Sequence, residues 1–110
     1  MKYWSVLWLF FLMHICFAQN ERGVARDGNK NYNQGRFSES EIDYRKSLSK
    51  NKGFEEAQFN LADALFKQDR YDESMNVLNN LISETNNLNL KSEAYYNLGN
   101  NLLQKKQLEN

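Results

Sequence analysis

The sequence predicts an all-α fold in which antiparallel helix-turn-helix repeats stack as a short solenoid of about two and a half repeats. The first observation is an internal repeat, because Gln34 to Ser40 (QGRFSES) returns 34 residues later as Gln68 to Ser74 (QDRYDES). A second, longer stretch, Ala57 to Leu65 (AQFNLADAL), recurs 37 residues on as Ala94 to Leu102 (AYYNLGNNL). The third observation is the absence of proline, which lets long helices run without interruption.

The repeat architecture bears directly on function. Each unit of such an array buries its apolar face only against its neighbours, so the array presents a long open surface instead of an enclosed pocket. We therefore expect binding rather than catalysis.

Residues 1–18 lie outside the repeats and have the pattern of a secretory signal peptide. Lys2 gives a positive start, Val6 to Phe17 form an apolar run, and Cys16-Phe17-Ala18 places small residues at the two positions that define cleavage. We expect cleavage after Ala18, which leaves residues 19–110 as a single repeat domain in an exported protein of the periplasm or cell envelope.

Two alternatives to a cleaved signal remain. An uncleaved membrane anchor needs roughly 18 to 20 apolar residues, whereas this run has about a dozen and contains His14. A lipoprotein signal carries a small residue just before its cysteine, whereas Ile15 precedes Cys16 here.

Cleavage would also limit the available chemistry. His14 and Cys16 are the chain's histidine and cysteine, so their removal excludes catalytic triads, thiol nucleophiles and metal sites built from His or Cys. The 14 basic residues balance the 14 acidic ones, which is not the pattern of a nucleic-acid-binding protein. We expect neither an enzyme nor a cofactor.

The periodicity predicts five helices. A turn at residues 34–36 separates the first two, and a polar loop at residues 85–89 precedes the fifth. Ser38 and Glu41 have the spacing of a capping box at the second helix, and Asp72 is the predicted cap of the fourth. The predicted helices run from about Arg22 to Asn33, Glu39 to Ser49, Glu55 to Lys67, Glu73 to Glu84 and Lys91 to Lys105.

These features resemble the tetratricopeptide repeat family over residues 21–110, with repeats at about 21–54 and 55–91 and an incomplete one at 92–110. The family pattern places small residues where two helices approach closely, an aromatic residue in the turn, and a large residue in the second helix. The proline that closes most repeats is missing, and Asp27 stands where the first repeat normally has leucine. The matching positions are Gly28, Ala62 and Gly99 with Ser40 and Ser74 (small), Phe37 and Tyr71 (turn), and Tyr44 and Leu78 (large).

Within that family, the signal peptide and the phrases AQFNL and YYNLGN are similar to the small exported proteins of the bacterial aerotolerance (Bat-type) operon. This narrower resemblance implies a periplasmic scaffold that works beside a membrane-bound von Willebrand A-type protein.

The family resemblance also implies a binding groove, because the first helices of successive repeats line a concave surface. Amide side chains recur along it with two aromatic rings between them. The expected groove residues are Asn29 and Asn33 of the first repeat, Phe59, Asn60, Asp63 and Lys67 of the second, and Tyr96, Asn97, Asn100 and Gln104 of the third.

Asparagine amides both donate and accept, so they can pair with a peptide backbone without requiring a particular sequence. Asparagine is also common throughout this chain, and some of these amides would then simply face water. Chaperone-binding members hold a C-terminal carboxylate with two asparagines and three basic residues; here Ala25, Glu93 and Asn97 stand at the basic positions. A carboxylate clamp is therefore not expected.

The leading hypothesis is an exported, non-enzymatic scaffold that holds a peptide or helix of a protein partner. The alternatives are the N-terminal accessory module of a longer envelope protein or enzyme, and a membrane-tethered adaptor that keeps residues 1–18. Asn110 is predicted to follow the turn after the fifth helix, with Leu98, Leu102 and Leu103 partly uncovered. That apolar end predicts self-association or the binding of a partner helix.

Overall fold

The computed structural model describes residues 3–4 and 19–110. Most of the predicted signal peptide, residues 1–18, lies outside the described residues. Within residues 19–110 all regular secondary structure is α-helical, which confirms the predicted all-α class. The helices are α1 (Glu21–Asn33), α2 (Phe37–Lys50), α3 (Glu55–Lys67), α4 (Tyr71–Glu84) and α5 (Leu88–Glu109).

The helices pack in chain order. Each helix contacts the next one along the chain, and α1 also touches α3. Two helical hairpins, α1–α2 and α3–α4, are therefore stacked, and α5 covers the far side of α4. This neighbour-to-neighbour packing is that of a repeat solenoid.

The predicted bounds of α3 are confirmed, but α2 and α4 both begin two residues earlier than predicted. The predicted side-chain caps at Ser38 and Asp72 are wrong, because α2 and α4 start after Arg36 and Arg70 and neither start has a side-chain cap. Aromatic contacts account for the earlier starts. Phe37 packs edge-on against Tyr32, and Tyr71 packs in the same way against Phe66, with ring centroids 5.1 and 5.4 Å apart.

The two interhelical turns repeat the same backbone conformation. Gly35 and Asp69, 34 residues apart, both have positive φ, at 74° and 59°. An aspartate in this region is strained relative to glycine, and the Tyr71 hydroxyl donates to its Oδ1 over 2.9 Å. The sequence repeat is thus also a repeat of turn geometry.

Helix α5 is longer than predicted at both ends. It begins at Leu88, where the Asn87 side chain caps it by accepting a hydrogen bond from the Leu90 amide at 3.1 Å. It then continues to Glu109, so the turn expected before Asn110 is absent. The loop before α5 therefore shrinks to residues 85–87.

The small residues of the repeats perform the predicted close packing in two of the three repeats. A Cβ on Gly28 would lie 2.6 Å from Tyr44 Cε1, so only glycine lets the buried Tyr44 ring cross α1 at this point. Ser74 is fully buried and its hydroxyl donates to the Ala62 carbonyl over 2.7 Å, which ties α4 to α3. The third small residue, Gly99, has nothing within 4 Å of its Cβ position.

A polar seam joins the first hairpin to the turn between α3 and α4. Glu41 of α2 accepts hydrogen bonds from Arg70, Arg45 and Gln68, and Gln68 also donates to the Phe37 carbonyl. Burial acts to raise the pKa of Glu41, but the hydrogen bonds from these cations and the amide outweigh it and lower the pKa. Glu41 was predicted to cap its own helix and instead links two repeats.

We predict opposite effects for two glycine substitutions that are chemically identical. Gly28→Ala should lower the free energy of unfolding by about 1 to 3 kcal/mol, because the new methyl group overpacks the Tyr44 ring. Gly99→Ala should raise it by about 0.5 to 1 kcal/mol, because the helix gains alanine's propensity without a clash. Urea unfolding in dilute solution followed by circular dichroism measures both changes, and equal effects at the two sites would contradict this account of Gly28.

Candidate functional site

The concave side of the stacked hairpins carries a groove formed by two adjoining cavities of about 320 and 200 Å³. Tyr32 and Asp63 line both cavities and therefore join them into one surface. The first cavity is also lined by Asn29, Asn33, Tyr44 and Asn60. The second is completed by Phe66, Lys67, Asn97, Asn100 and Asn101.

A hydrogen-bond network at one end of the groove links three helices. The Tyr44 hydroxyl on α2 donates to Asn29 Oδ1 on α1 over 2.6 Å. Asn60 Nδ2 on α3 donates to the same oxygen over 3.0 Å. Asn29 Oδ1 is therefore held by two donors, which fixes its amide and leaves its Nδ2 group as the donor that a guest can use.

A second amide contact lies further along the groove. Asn97 Nδ2 on α5 donates to Asp63 Oδ1 on α3 over 3.0 Å, and its own amide oxygen is therefore oriented as an acceptor. Asn101 is 1% exposed, and its Nδ2 donates to the Asn97 carbonyl over 3.0 Å. Amides thus recur along the groove, some as fixed donors and some as fixed acceptors.

Asp63 is the charged group at the centre of the groove. Burial is the main influence and raises its pKa to about 6; Lys67 acts to lower the pKa and Glu93 to raise it further. Burial followed by the charge of Asp63 also raises the pKa of Tyr32. The surroundings of Asp63 thus offset only part of the free-energy cost of burying its ionised carboxylate.

The aromatic side chains of the groove are backed by the turn aromatics. Tyr32 and Phe66 line the groove and each packs edge-on against the first residue of the following helix, Phe37 and Tyr71 respectively. Burial is the foremost cause of the raised pKa of Tyr44, whose hydroxyl donates to Asn29 Oδ1. These contacts hold the aromatic groups in place before any guest binds.

The structure brings together seven of the ten residues expected in the groove. Asn29, Asn33, Asn60, Asp63, Lys67, Asn97 and Asn100 line the two cavities.

The other three groove candidates, Phe59, Tyr96 and Gln104, are not among the residues that line the two cavities. Phe59 packs against the core cluster around Leu78, and Tyr96 is 72% exposed on α5. The family resemblance placed them on the groove side, but it could not show how far each helix is rotated in the stack.

Sequence reasoning missed the groove roles of Tyr32, Tyr44, Phe66 and Asn101. Tyr44 was expected only as a packing residue in the second helix, and its hydroxyl reaches the groove because Gly28 has no side chain. The signal for Tyr32 and Phe66 was present, since they occupy equivalent positions 34 residues apart.

The carboxylate clamp is disfavoured by the geometry as well as by the composition. Ala25, at one of the basic positions, is 1% exposed and belongs to the core. The two matching asparagines, Asn29 and Asn60, are hydrogen bonded to each other. A carboxylate at this point would meet Asp63 nearby instead of a cluster of cations.

Neither a metal site nor a membrane span is found in the part of the chain that the structure describes. Residues 3–4 and 19–110 contain no cluster of three or more histidine, cysteine, aspartate or glutamate side chains that could bind a metal ion. In the same residues, no helix has both the length and the apolar character needed to cross a bilayer.

The outer face of α5 is apolar and uncovered. Tyr95 is 54% exposed, and Leu102 and Leu103 are 55% and 54% exposed. Leu98, by contrast, packs against the core cluster formed with α4. Self-association or the binding of a partner helix through this end, expected from the sequence, stays a prediction.

The fold and the open groove define a helical-repeat scaffold, the class of protein that binds other proteins. A sequence model of the tetratricopeptide repeat matches residues 32–98, more than half of the chain. The chain belongs to the tetratricopeptide repeat family, whose members are typically non-catalytic protein-interaction scaffolds. No curated protein matches the chain.

We predict that Asp63→Asn stabilises the protein at neutral pH. Because the folded-state pKa is raised from 3.8 to about 6, the folded protein favours the protonated acid, and wild-type stability falls as the pH rises from about 4 through 6. The asparagine can still accept from Asn97 and carries no charge. The variant should therefore be more stable by about 1 to 3 kcal/mol at pH 7.5.

The measurement is urea unfolding of both proteins between pH 4 and 8, with Asp27→Asn as a control that removes an exposed carboxylate from α1. The gain from Asp63→Asn should vanish near pH 4. A gain of the same size at pH 4 and 7.5 would contradict the role of burial at Asp63.

Proposed function

We propose that this protein is an exported, non-enzymatic scaffold that binds an extended or helical segment of a protein partner in the groove along α1, α3 and α5. The single observation that carries the proposal is the chain of oriented amides, Asn29, Asn60 and Asn97, which are fixed by hydrogen bonds from neighbouring helices. Oriented donors and acceptors pair with a peptide backbone at little entropic cost.

The aromatic side chains add to this interpretation. Tyr32 and Phe66 provide apolar surface between the amides, and they suit the side chains that alternate along an extended peptide. A groove with this polar lining favours a partner recognised through its backbone and a few apolar residues.

The proposed site of action is the periplasm or cell envelope. The sequence of residues 1–18 supports export, and the Bat-type resemblance suggests a membrane-bound von Willebrand A-type protein as the partner. An accessory module of a longer envelope protein and a tethered adaptor with an uncleaved anchor are the alternatives. All three would use the same groove.

The groove proposal predicts that Asn60→Ala together with Asn97→Ala weakens partner binding by about 1 to 3 kcal/mol while helicity is kept, since each hydrogen bond contributes about 0.5 to 1.5 kcal/mol. The partner is first captured from envelope extract with the wild-type chain. Its affinity for each variant is then measured by isothermal titration calorimetry.

Asn79→Ala together with Asn80→Ala is the matched control, because it removes the same two amides from exposed positions on α4. Ser47, also on a second helix, is unsuitable as a control because it is fully buried and donates to the Glu21 carbonyl. If the α4 control weakens binding as much as the groove variant, the groove is not the binding surface.

Export predicts that the protein recovered from a bacterial host begins at Gln19. Intact-mass measurement of the periplasmic fraction gives this N-terminus directly. A protein found with Met1 and residues 2–18 in the membrane fraction would instead favour the tethered adaptor.

A further inference from the structure

The first cavity of the groove is lined by one charged side chain, the carboxylate of Asp63. Helices α1, α2 and α3 form this cavity, which has a volume of about 320 Å³. The other side chains that line it are neutral amides and phenols: Asn29, Asn33, Asn60, Tyr32 and Tyr44. The space far exceeds what a single water molecule needs, so it can accept a side chain of a guest.

The carboxylate of Asp63 is incompletely paired by the described residues. Asn97 Nδ2 donates to Oδ1 over 3.0 Å, whereas Oδ2 accepts no hydrogen bond from residues 3–4 and 19–110. Lys67 lies one turn further along α3, but none of the ion pairs in this part of the chain involves Asp63. A half-buried carboxylate with an open oxygen favours a cationic partner.

The electrostatic field in the first cavity favours positive charge. Burial, followed by the negative charge of Asp63, raises the pKa of Tyr32. Burial is also the main cause of the raised pKa of Tyr44, and Tyr32 and Asp63 add to it. The charges around the cavity thus act to retain protons, and Lys67 opposes them at Asp63.

The basic side chains that line the groove lie on either side of the first cavity. Arg22 and Arg26 line a third cavity of about 430 Å³ near the start of α1, together with Glu56. Lys67 lines the second cavity but not the first. The first cavity therefore has a carboxylate without a cation beside it.

We propose that the first cavity binds a lysine or arginine side chain of the partner segment, with Asp63 as its counter-ion. This inference rests on the proposed function of the groove and names the chemistry of its guest. Asn60 and Tyr44 both donate to Asn29, so the Asn60 amide oxygen and the Tyr44 hydroxyl oxygen are left to accept from the cation. The tyrosine rings that line the cavity add a cation–π attraction.

A positional-scanning library of nonapeptides, acetylated and amidated to remove the terminal charges, tests the proposal. The protein should select lysine or arginine at one position, and separate peptides with each residue show whether the ammonium or the guanidinium group is preferred. Replacing a selected arginine by citrulline, or a selected lysine by norleucine, should weaken binding about tenfold to hundredfold, because a hydrogen bond to a charged group is lost. Fluorescence anisotropy of labelled peptides measures this ratio of affinities.

The Asp63→Asn variant separates the charge of the cavity from its shape. In this variant the cationic peptide and its neutral counterpart should bind within about twofold of each other. Asp27→Asn is the matched control, because it removes an exposed carboxylate from α1 that lines none of the three cavities, and it should keep the full ratio. Circular dichroism shows that each variant keeps its helicity.

The pH dependence of the affinity ratio is a second readout. Because the pKa of Asp63 is about 6, the wild-type ratio should fall about tenfold between pH 7.5 and pH 5, whereas the ratio for Asp63→Asn should not change. Lysine and arginine side chains of the peptide stay protonated over this range. Tyr32 and Tyr44, whose pKa values are raised, stay neutral. The charged groups that face Asp63 are Lys67 and Glu93.

The outcomes separate this inference from the groove proposal. Peptides that bind without a preference for a basic residue, or a preference that survives Asp63→Asn, would overturn the cation assignment and leave the groove proposal standing. Selection of an acidic residue would do the same. A library from which no peptide binds would count against the groove as a peptide site, and the cation assignment would fail with it.

Discussion

The close approach of α1 and α2 at Gly28 is the constraint on which the groove depends. Because Gly28 has no side chain, the Tyr44 ring crosses α1 and its hydroxyl reaches Asn29 in the groove. Asn60 of the next repeat donates to the same oxygen. The absence of a side chain at Gly28 thus allows the close packing of the first hairpin. It also positions the Asn29 amide in the groove, to which the second hairpin is hydrogen bonded.

The stacking of the hairpins is fixed from the opposite side by the seam around Glu41. Arg70 and Gln68 come from the turn between α3 and α4, and both bind Glu41 on α2. The strained turn residue Asp69 lies between them in sequence. The angle between the two hairpins, and hence the width of the groove, is therefore set by contacts that no single repeat contains.

The groove is polar because of where a solenoid places its apolar side chains. A solenoid buries apolar side chains between neighbouring repeats and leaves its concave side in contact with water. Amides and Asp63 can therefore line that side at little cost in free energy, and the cost rises only where such a group is buried. Asp63 shows that cost as a raised pKa. Under the proposed function, a peptide that binds beside Asp63 would bury it further, and pH and partner binding would then be linked through this one carboxyl group.

The sequence by itself determined the helical class, the repeat length and the turns after α1 and α3, because these follow from periodicity and from residue types that only certain positions tolerate. The family resemblance named ten groove candidates, and seven of them line the two cavities. Only the tertiary structure decided the roles of Glu41, Tyr44 and Phe59. Glu41 and Tyr44 act through partners about thirty and fifteen residues away in the chain, while the rotation of α3 turns Phe59 toward the core. Local pattern specifies which face of a helix is apolar, but the contacts between repeats decide which side chain fills the space between them.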